Sequence, residues 1–354
     1  MSQFNKENTG YAKGYPLFLG EKLGLLDTVN RTYPVIEELY QDQIAQLWNE
    51  FEVDLTQDKM DMRNMDAGTV DLMVKTLSWQ FLADSVAGRS ISGLLLPHVS
   101  NPELEGLINI QSFFETIHAR TYSHIVKQTF TDPNRLLKET YDNLDVLVRS
   151  EVVVNVFDVL DADDGSNREA LEDKLIQAFT ALFALEAISF MASFSVTFAI
   201  VDTDKFAGIG KLVQLICRDE VLHTRMDYTI LDIMMNDPAW TDAVSRNSNE
   251  IKAILDEVVS NEHRWAKYIF SEDRQVIGLN EDLLIEYVDY MAAPVYKALG
   301  LKAPRGDIEK NPLPYMDKYI DPSKMQTANM ELQNSSYLIG TIEDDTTDME
   351  FDDL

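Results

Sequence analysis

Two glutamates in this chain are each followed three residues later by a histidine, Glu115-x-x-His118 and Glu220-x-x-His223, inside stretches that otherwise read as buried helix. At 3.6 residues per turn, positions i and i+3 share a stripe, and Tyr122 extends the first stripe by one more turn. Phe113, Phe114 and Ile117 mark the surroundings as apolar. Bare charges do not persist in such a place. The chain must fold so that something compensates them, and this requirement narrows the architecture more than any other feature.

Capped helical periodicity dominates the sequence, and no convincing strand alternation appears. Helices are expected at about 35–50, 68–95, 102–130, 134–149, 168–201, 205–235, 247–270 and 280–298. Asn101 before Pro102 reads as an N-cap with proline at the first helical position, "TDPN" at 131–134 ends one helix and opens the next, and "DTD" at 202–204 makes a similar corner.

The registers of these helices bring further acids to the two Glu-x-x-His pairs. Glu220 lies sixteen residues after Asp204, and Glu186 sixteen to eighteen before that corner, or roughly 24 to 27 Å on each arm. Folded antiparallel, Glu186 and Glu220 meet at one level. Asp84 lies thirteen residues before Pro97 and Glu115 thirteen after Pro102, roughly 20 Å on each arm. Each hairpin thus pairs one lone carboxylate with one Glu-x-x-His, the known pattern of the di-metal carboxylate bundle. Two divalent cations would cancel four carboxylates, and a mostly oxygen ligand set with two imidazoles suits iron or manganese better than zinc or copper(I). The expected fold is all-α, a ferritin-like helical bundle with a dinuclear metal site, extended by additional helices. A solvated i,i+3 pair is the ordinary reading of any single Glu-x-x-His; the matched heights argue against it.

Tyr122 lies seven residues after Glu115 and four after His118, which puts its phenol beside the metals. It is either plain core or a redox-active phenol needing a dry shell. Phe190 and Phe194 follow Glu186 by four and eight residues and Ile216 precedes Glu220 by four; each serves such a shell or ordinary packing. Asp219 can accept from a ligand histidine or pair with Arg218.

Composition excludes several function classes. Sixty acidic against thirty basic residues give a net charge of −30, which repels nucleic acid and anionic membranes alike. A single cysteine, Cys217, rules out an internal disulfide and any chemistry needing two thiols in one chain. "MSQFNKENTG" carries no basic start or apolar core, so no secretory signal is expected and the cytoplasm is the expected compartment. Residues 181–201 hold one charge, Glu186, and are long enough to span a bilayer. A lone mid-span carboxylate is costly in lipid, so a buried core helix is expected.

Four of the eleven prolines fall between Pro304 and Pro322, and the last dozen residues hold seven acids and no base. Three regions are therefore expected: a helical dimetal domain over 1–300, a proline-containing strap over 301–330, and a mobile acidic tail over 331–354.

The chain closely resembles the small, radical-generating subunit of class I ribonucleotide reductase, of the tyrosyl-radical subtype. The likeness spans "LADSVAGRS", "NPELEG", "FFETIHARTYSHI", "LEAISFMASFSVTFA", "RDEVLH", "WAKYIF", "IGLNEDLLIEYV", "NPLP" and "SSYLIG". It implies that Asp84, Glu115 and His118 bind one metal and Glu186, Glu220 and His223 the other. It also implies that Tyr122 carries the radical and that Phe190, Phe194 and Ile216 form its hydrophobic pocket. Trp48 and Asp219 match the relay between radical and surface, Tyr337 matches a relay residue on the tail, and Glu331 matches a tail acid. The cofactor implied is two iron ions, oxo-bridged when oxidised, with manganese possible; dioxygen would oxidise Tyr122. The tail, with Met349, Phe351 and Leu354 as apolar anchors, would dock on the large subunit, and a homodimer is implied. Ribose reduction needs thiols that Cys217 alone cannot supply, so the substrate site would lie on that partner. Competing readings are a di-iron oxygenase or desaturase with Tyr122 as bystander, a ferritin-like iron store, and a metal-free helical adaptor.

Overall fold

The computed structural model describes residues 4–320. Eleven helices of nine residues or more organise that span: α1 (Pro34–Ile44), α2 (Thr56–Asn64), α3 (Ala67–Ser90), α4 (Pro102–Thr129), α5 (Pro133–Asp142), α6 (Leu144–Asp161), α7 (Arg168–Ala184), α8 (Met191–Val201), α9 (Ala207–Asn236), α10 (Thr241–Ile269) and α11 (Glu281–Ala298). No strand longer than an isolated bridge occurs among the described residues.

The site-bearing helices start where local chemistry dictates. Asn101 accepts the amide of Leu104 at 2.8 Å, and Pro102 occupies the first turn of α4. Glu103 and Glu105 add negative charge at the positive end of the helix dipole. Helix α9 starts differently. Phe206 adopts φ 53° at its N-cap, and the orphan amides are taken by carboxylates from α2. Asp61 accepts from Phe206 at 3.0 Å, and Asp58 from Gly208 and Ile209 at 3.2 and 2.8 Å. A Cβ at Gly208 would stand 2.5 Å from Asp58 Oδ2, so glycine is what lets α2 dock there.

Two π-turns interrupt the helices. One, Ile91–Leu95, ends α3; the other, Leu185–Phe190, joins α7 to α8 and contains Glu186. The expected 168–201 helix is thus one rod with a single inserted π-turn, a feature often found at functional sites. It spans 34 residues with mean hydropathy 1.8 in its most apolar window, and 94% of that window is buried. This segment is the core helix of the bundle.

Several boundaries differ from expectation. The segment expected as one helix over 134–149 breaks at Asn143, whose side chain accepts from Asp145 and Val146 at 3.0 and 3.3 Å and opens α6. α10 begins six residues earlier than expected, after a turn at Pro238–Trp240. α1 ends at Ile44 rather than near 50. Beyond it Asn49 takes the amide of Phe51 at 2.9 Å and Glu52 that of Asn49 at 3.0 Å. Such side-chain to backbone bonds compete with helix, and Trp48 therefore sits in irregular chain beyond the helix end. Phe113, expected to be buried, is 49% exposed, whereas Phe114 and Ile117 are buried.

Residues 315–319, after α11, pack onto α8 and the residue that follows it. Tyr315 donates to the Ser195 carbonyl at 2.8 Å and Tyr319 to Asp202 at 2.8 Å, while the Tyr319 and Phe198 rings stack at 3.7 Å. A buried ion pair ties the opposite side together: Arg149 binds Glu262 at 2.7 and 2.8 Å and donates to the Ser189 carbonyl, in the π-turn, at 2.9 Å.

Candidate metal centre

Asp84 projects from α3, Glu115 and His118 from α4, Glu186 from the π-turn, and Glu220 and His223 from α9; none is more than 1% exposed. The expected hairpin registers hold. A Cβ at Gly88, one turn after Asp84, would meet the Glu115 Cβ at 3.0 Å, so glycine lets α3 and α4 approach closely at the level of the acids.

The donor atoms form two overlapping groups. Asp84, Glu115, His118 and Glu220 offer one cluster, and Glu115, Glu186, Glu220 and His223 the other, with the atoms of each within 4.8 Å of one another. Glu115 and Glu220 belong to both. His118 Nδ1 stands 3.1 Å from Glu220 and 3.8 Å from Glu115; His223 Nδ1 stands 2.9, 3.3 and 3.7 Å from Glu115, Glu220 and Glu186. Despite this proximity, both oxygens of Asp84, Glu115 and Glu220 and both Nδ1 atoms lack a well-formed hydrogen bond. Buried donors that crowd within contact distance yet meet in poor hydrogen-bond geometry are arranged for something between them, and this donor set fits two cations of the iron or manganese class.

Electrostatics agree. Burial pushes Asp84 well above the usual carboxylate range, reinforced by Glu115 and Glu220. Glu186 is raised likewise by burial and then by Asp227 and Glu220. Burial also works to raise Glu115, but contacts with His118 and His223 outweigh it and bring it down to about 2. Burial opposes the charge on His223, yet Glu115 and Glu220 lift it to about 10. Without cations, protons fill their place.

Asp219 connects this cluster outward. Its Oδ2 accepts from Trp48 Nε1 at 2.6 Å and faces His118 Nε2 at 3.1 Å, and its Oδ1 accepts from Arg218 at 3.4 Å. Both readings of Asp219 therefore hold at once. A proton on Nε2 held by Asp219 would fix the tautomer that directs His118 Nδ1 at a cation among the acids.

Tyr122 is completely buried, its hydroxyl has no well-formed hydrogen bond, and burial followed by the Asp84 charge raises its pKa well above 10. Phe190, Phe194 and Ile216 are also fully buried, with Phe190 and Phe194 stacked at 5.7 Å. The ring neighbour of Tyr122 is Phe81, at 6.2 Å, which sequence reasoning missed; its position three before Asp84 is the signal that points to it. Gln111, 3.3 Å from Glu186, and the buried Asp227 were also missed. Glu331, Tyr337 and the tail anchors Met349, Phe351 and Leu354 lie outside the described residues.

The family model for the ribonucleotide reductase small chain matches residues 26–312. The chain belongs to that family. It is 32% identical to the ribonucleoside-diphosphate reductase subunit beta of Buchnera aphidicola subsp. Baizongia pistaciae, over 98% of this chain and 97% of that one. Its fold matches the ribonucleotide reductase R2 subunit of Clostridium botulinum at TM-score 0.80 and 20% identity, covering 90% and 98% of the two chains. It also matches the dimanganese(II)-NrdF of Streptococcus sanguinis at 0.69 and 17%, covering 83% and 98%. As a class I small subunit, the chain is the radical-generating component of ribonucleoside-diphosphate reductase and works with a large subunit in deoxyribonucleotide synthesis. Family membership and the carboxylate–histidine cluster together give a dinuclear site of the iron or manganese class. The readings as oxygenase or desaturase, iron store and adaptor fall away.

Proposed function

We propose that Asp84, Glu115, His118 and Glu220 hold one ion and Glu115, Glu186, Glu220 and His223 the other, with Tyr122 as the residue that stores the radical. The observation that carries this reading is the pair of donor groups sharing Glu115 and Glu220 on the helices that bury Tyr122. The ions are two irons, and when bound they supply the oxidising power drawn from dioxygen.

The chain's own residues do the rest. Oxidising Tyr122 removes one electron and the hydroxyl proton together, because burial makes a bare phenolate costly. Asp84 is the acid that bears most strongly on that hydroxyl and receives the proton. Phe81, Phe190, Phe194 and Ile216 keep water and reductants away. Asp219 joins His118 to the Trp48 indole, which is 4% exposed, and this line is the way out for the oxidising equivalent. Glu331 and Tyr337 continue it on the tail over 331–354, which docks on the large subunit, where the reducing thiols reside. A homodimer in the cytoplasm is the working unit, and the exposed Phe113 on α4 supports an apolar contact with a second copy.

Loading the metal-free chain with Fe(II) and then admitting air should yield a tyrosyl electron-spin signal that is absent from Tyr122→Phe. A signal unchanged in that variant would reject the assignment, and radical formation with Mn(II) alone would reject iron.

A further inference from the structure

Among the described residues, one fully buried acid outside this scheme has no well-formed partner for either oxygen. This acid, Asp227, lies one turn after His223 on α9. Among the described residues, no lysine or arginine forms an ion pair with it. His223 has the complementary deficit: its Nδ1 faces Glu115, Glu186 and Glu220, while its Nε2, also buried, has no partner.

The other histidine shows what is missing. His118 turns Nδ1 toward the acids and gives Nε2 to Asp219 at 3.1 Å. Histidines that ligate metals nearly always donate their remote N–H to a carboxylate, carbonyl or water, which fixes the ring and raises its basicity. Residues at i and i+4 share a helix face, so Asp227 is placed to do for His223 what Asp219 does for His118. One further contact directs Asp227 toward this half of the centre: Gln111, which donates to Glu186 at 3.3 Å, also lies against Asp227, whose carboxyl burial pushes well above the usual range.

We propose that Asp227 is the positioning residue of the second metal, accepting the Nε2–H of His223 directly or through one water and so orienting that ligand in the loaded centre. This inference rests on the dinuclear assignment above. Each histidine then has its own outer carboxylate, and among the described residues only Asp219 of the two also bonds an oxidisable side chain, Trp48; Asp227 acts on the metal rather than on radical exit.

The test is an anaerobic titration of the full chain with Mn(II) alone, without the large subunit. It compares wild type with Asp227→Leu and Asp227→Asn and follows electron-spin resonance and the quadrupole coupling of the remote imidazole nitrogen. In Asp227→Leu, one of the two ions should bind roughly ten- to a hundredfold more weakly, with the other unchanged and one remote-nitrogen coupling shifted. Asp227→Asn, which keeps an acceptor, should restore part of the affinity. Equal affinities and couplings in wild type and both variants would overturn the proposal. So would equal weakening of both ions with a lower melting temperature of the metal-free protein, which would mark a packing role. Should Asp227→Leu fail to fold, the near-isosteric Asn variant decides alone: an unshifted coupling overturns the proposal. A wild-type chain that takes up fewer than two ions would instead refute the dinuclear assignment itself.

Discussion

Trp48 and His118 meet on one carboxylate oxygen: Asp219 Oδ2 accepts the indole N–H at 2.6 Å and faces the imidazole Nε2 at 3.1 Å. The two rings lie 6.2 Å apart and nearly parallel. Trp48 reaches this position from irregular chain, because the helix expected to carry it stops at Ile44. Trp48→Phe should keep both metals and the Tyr122 radical while lowering turnover with the large subunit at least about tenfold, since a phenyl ring offers neither the N–H nor an easily oxidised π-system. Spin quantitation beside a turnover assay checks this; full turnover would remove Trp48 from the path.

Glu220 and Glu186 predict unequal losses. Glu220 stands in both donor groups and Glu186 in one. Glu220→Ala should therefore lose both ions, whereas Glu186→Ala should retain one. Metal content after gel filtration reads the difference, and equal stoichiometry in the two variants would contradict the shared position of Glu220.

The metal-free protein should lose stability in alkali. The folded-state pKa of His223 is raised to about 10, so its contribution is fully present below the unfolded value of roughly 6.5 and disappears as pH climbs through about 10. Asp84 and Glu186, raised by burial, act in the same direction, because deprotonating them adds uncompensated buried charge. Melting temperature with chelator should fall from pH 7 to 10, whereas the loaded protein should hold nearly constant. Loading also displaces these protons, so metal affinity should rise with pH. A melting temperature of the metal-free protein that stays constant from pH 7 to 10 would count against protons standing in for the cations.

Gly88 sets the spacing of α3 and α4 at the centre. With a Cβ already at 3.0 Å from Glu115, Gly88→Val should destabilise the fold by about 1–3 kcal/mol through overpacking. It should also weaken the ion held by Asp84 more than the ion held by Glu186. Denaturant melts with stepwise Mn(II) titration test both halves; a variant with unimpaired binding would show that the helices tolerate separation.

Much of the centre is legible in the sequence, because helical spacing and hairpin arm lengths are arithmetic on residue positions. Glu115 with His118, Glu220 with His223, and the matched heights of Asp84 with Glu115 and of Glu186 with Glu220 follow from it, as does the burial of the apolar helix around Glu186. Boundaries set by single side chains are harder. Asn143 ends one helix and caps the next, a choice between two local options that periodicity alone does not make.

The sequence by itself determined which side chains share a helix face and at what level, since both are local consequences of the 3.6-residue repeat. Only the tertiary structure decided which acids belong to both donor groups, that Glu186 falls in a π-turn, that α2 caps α9 from a distance, and that Phe81 lies beside Tyr122 and Asp227 is buried with no well-formed partner. Those outcomes depend on how helices rotate and approach one another. That is a property of packing between segments far apart in the chain, and no single segment encodes it.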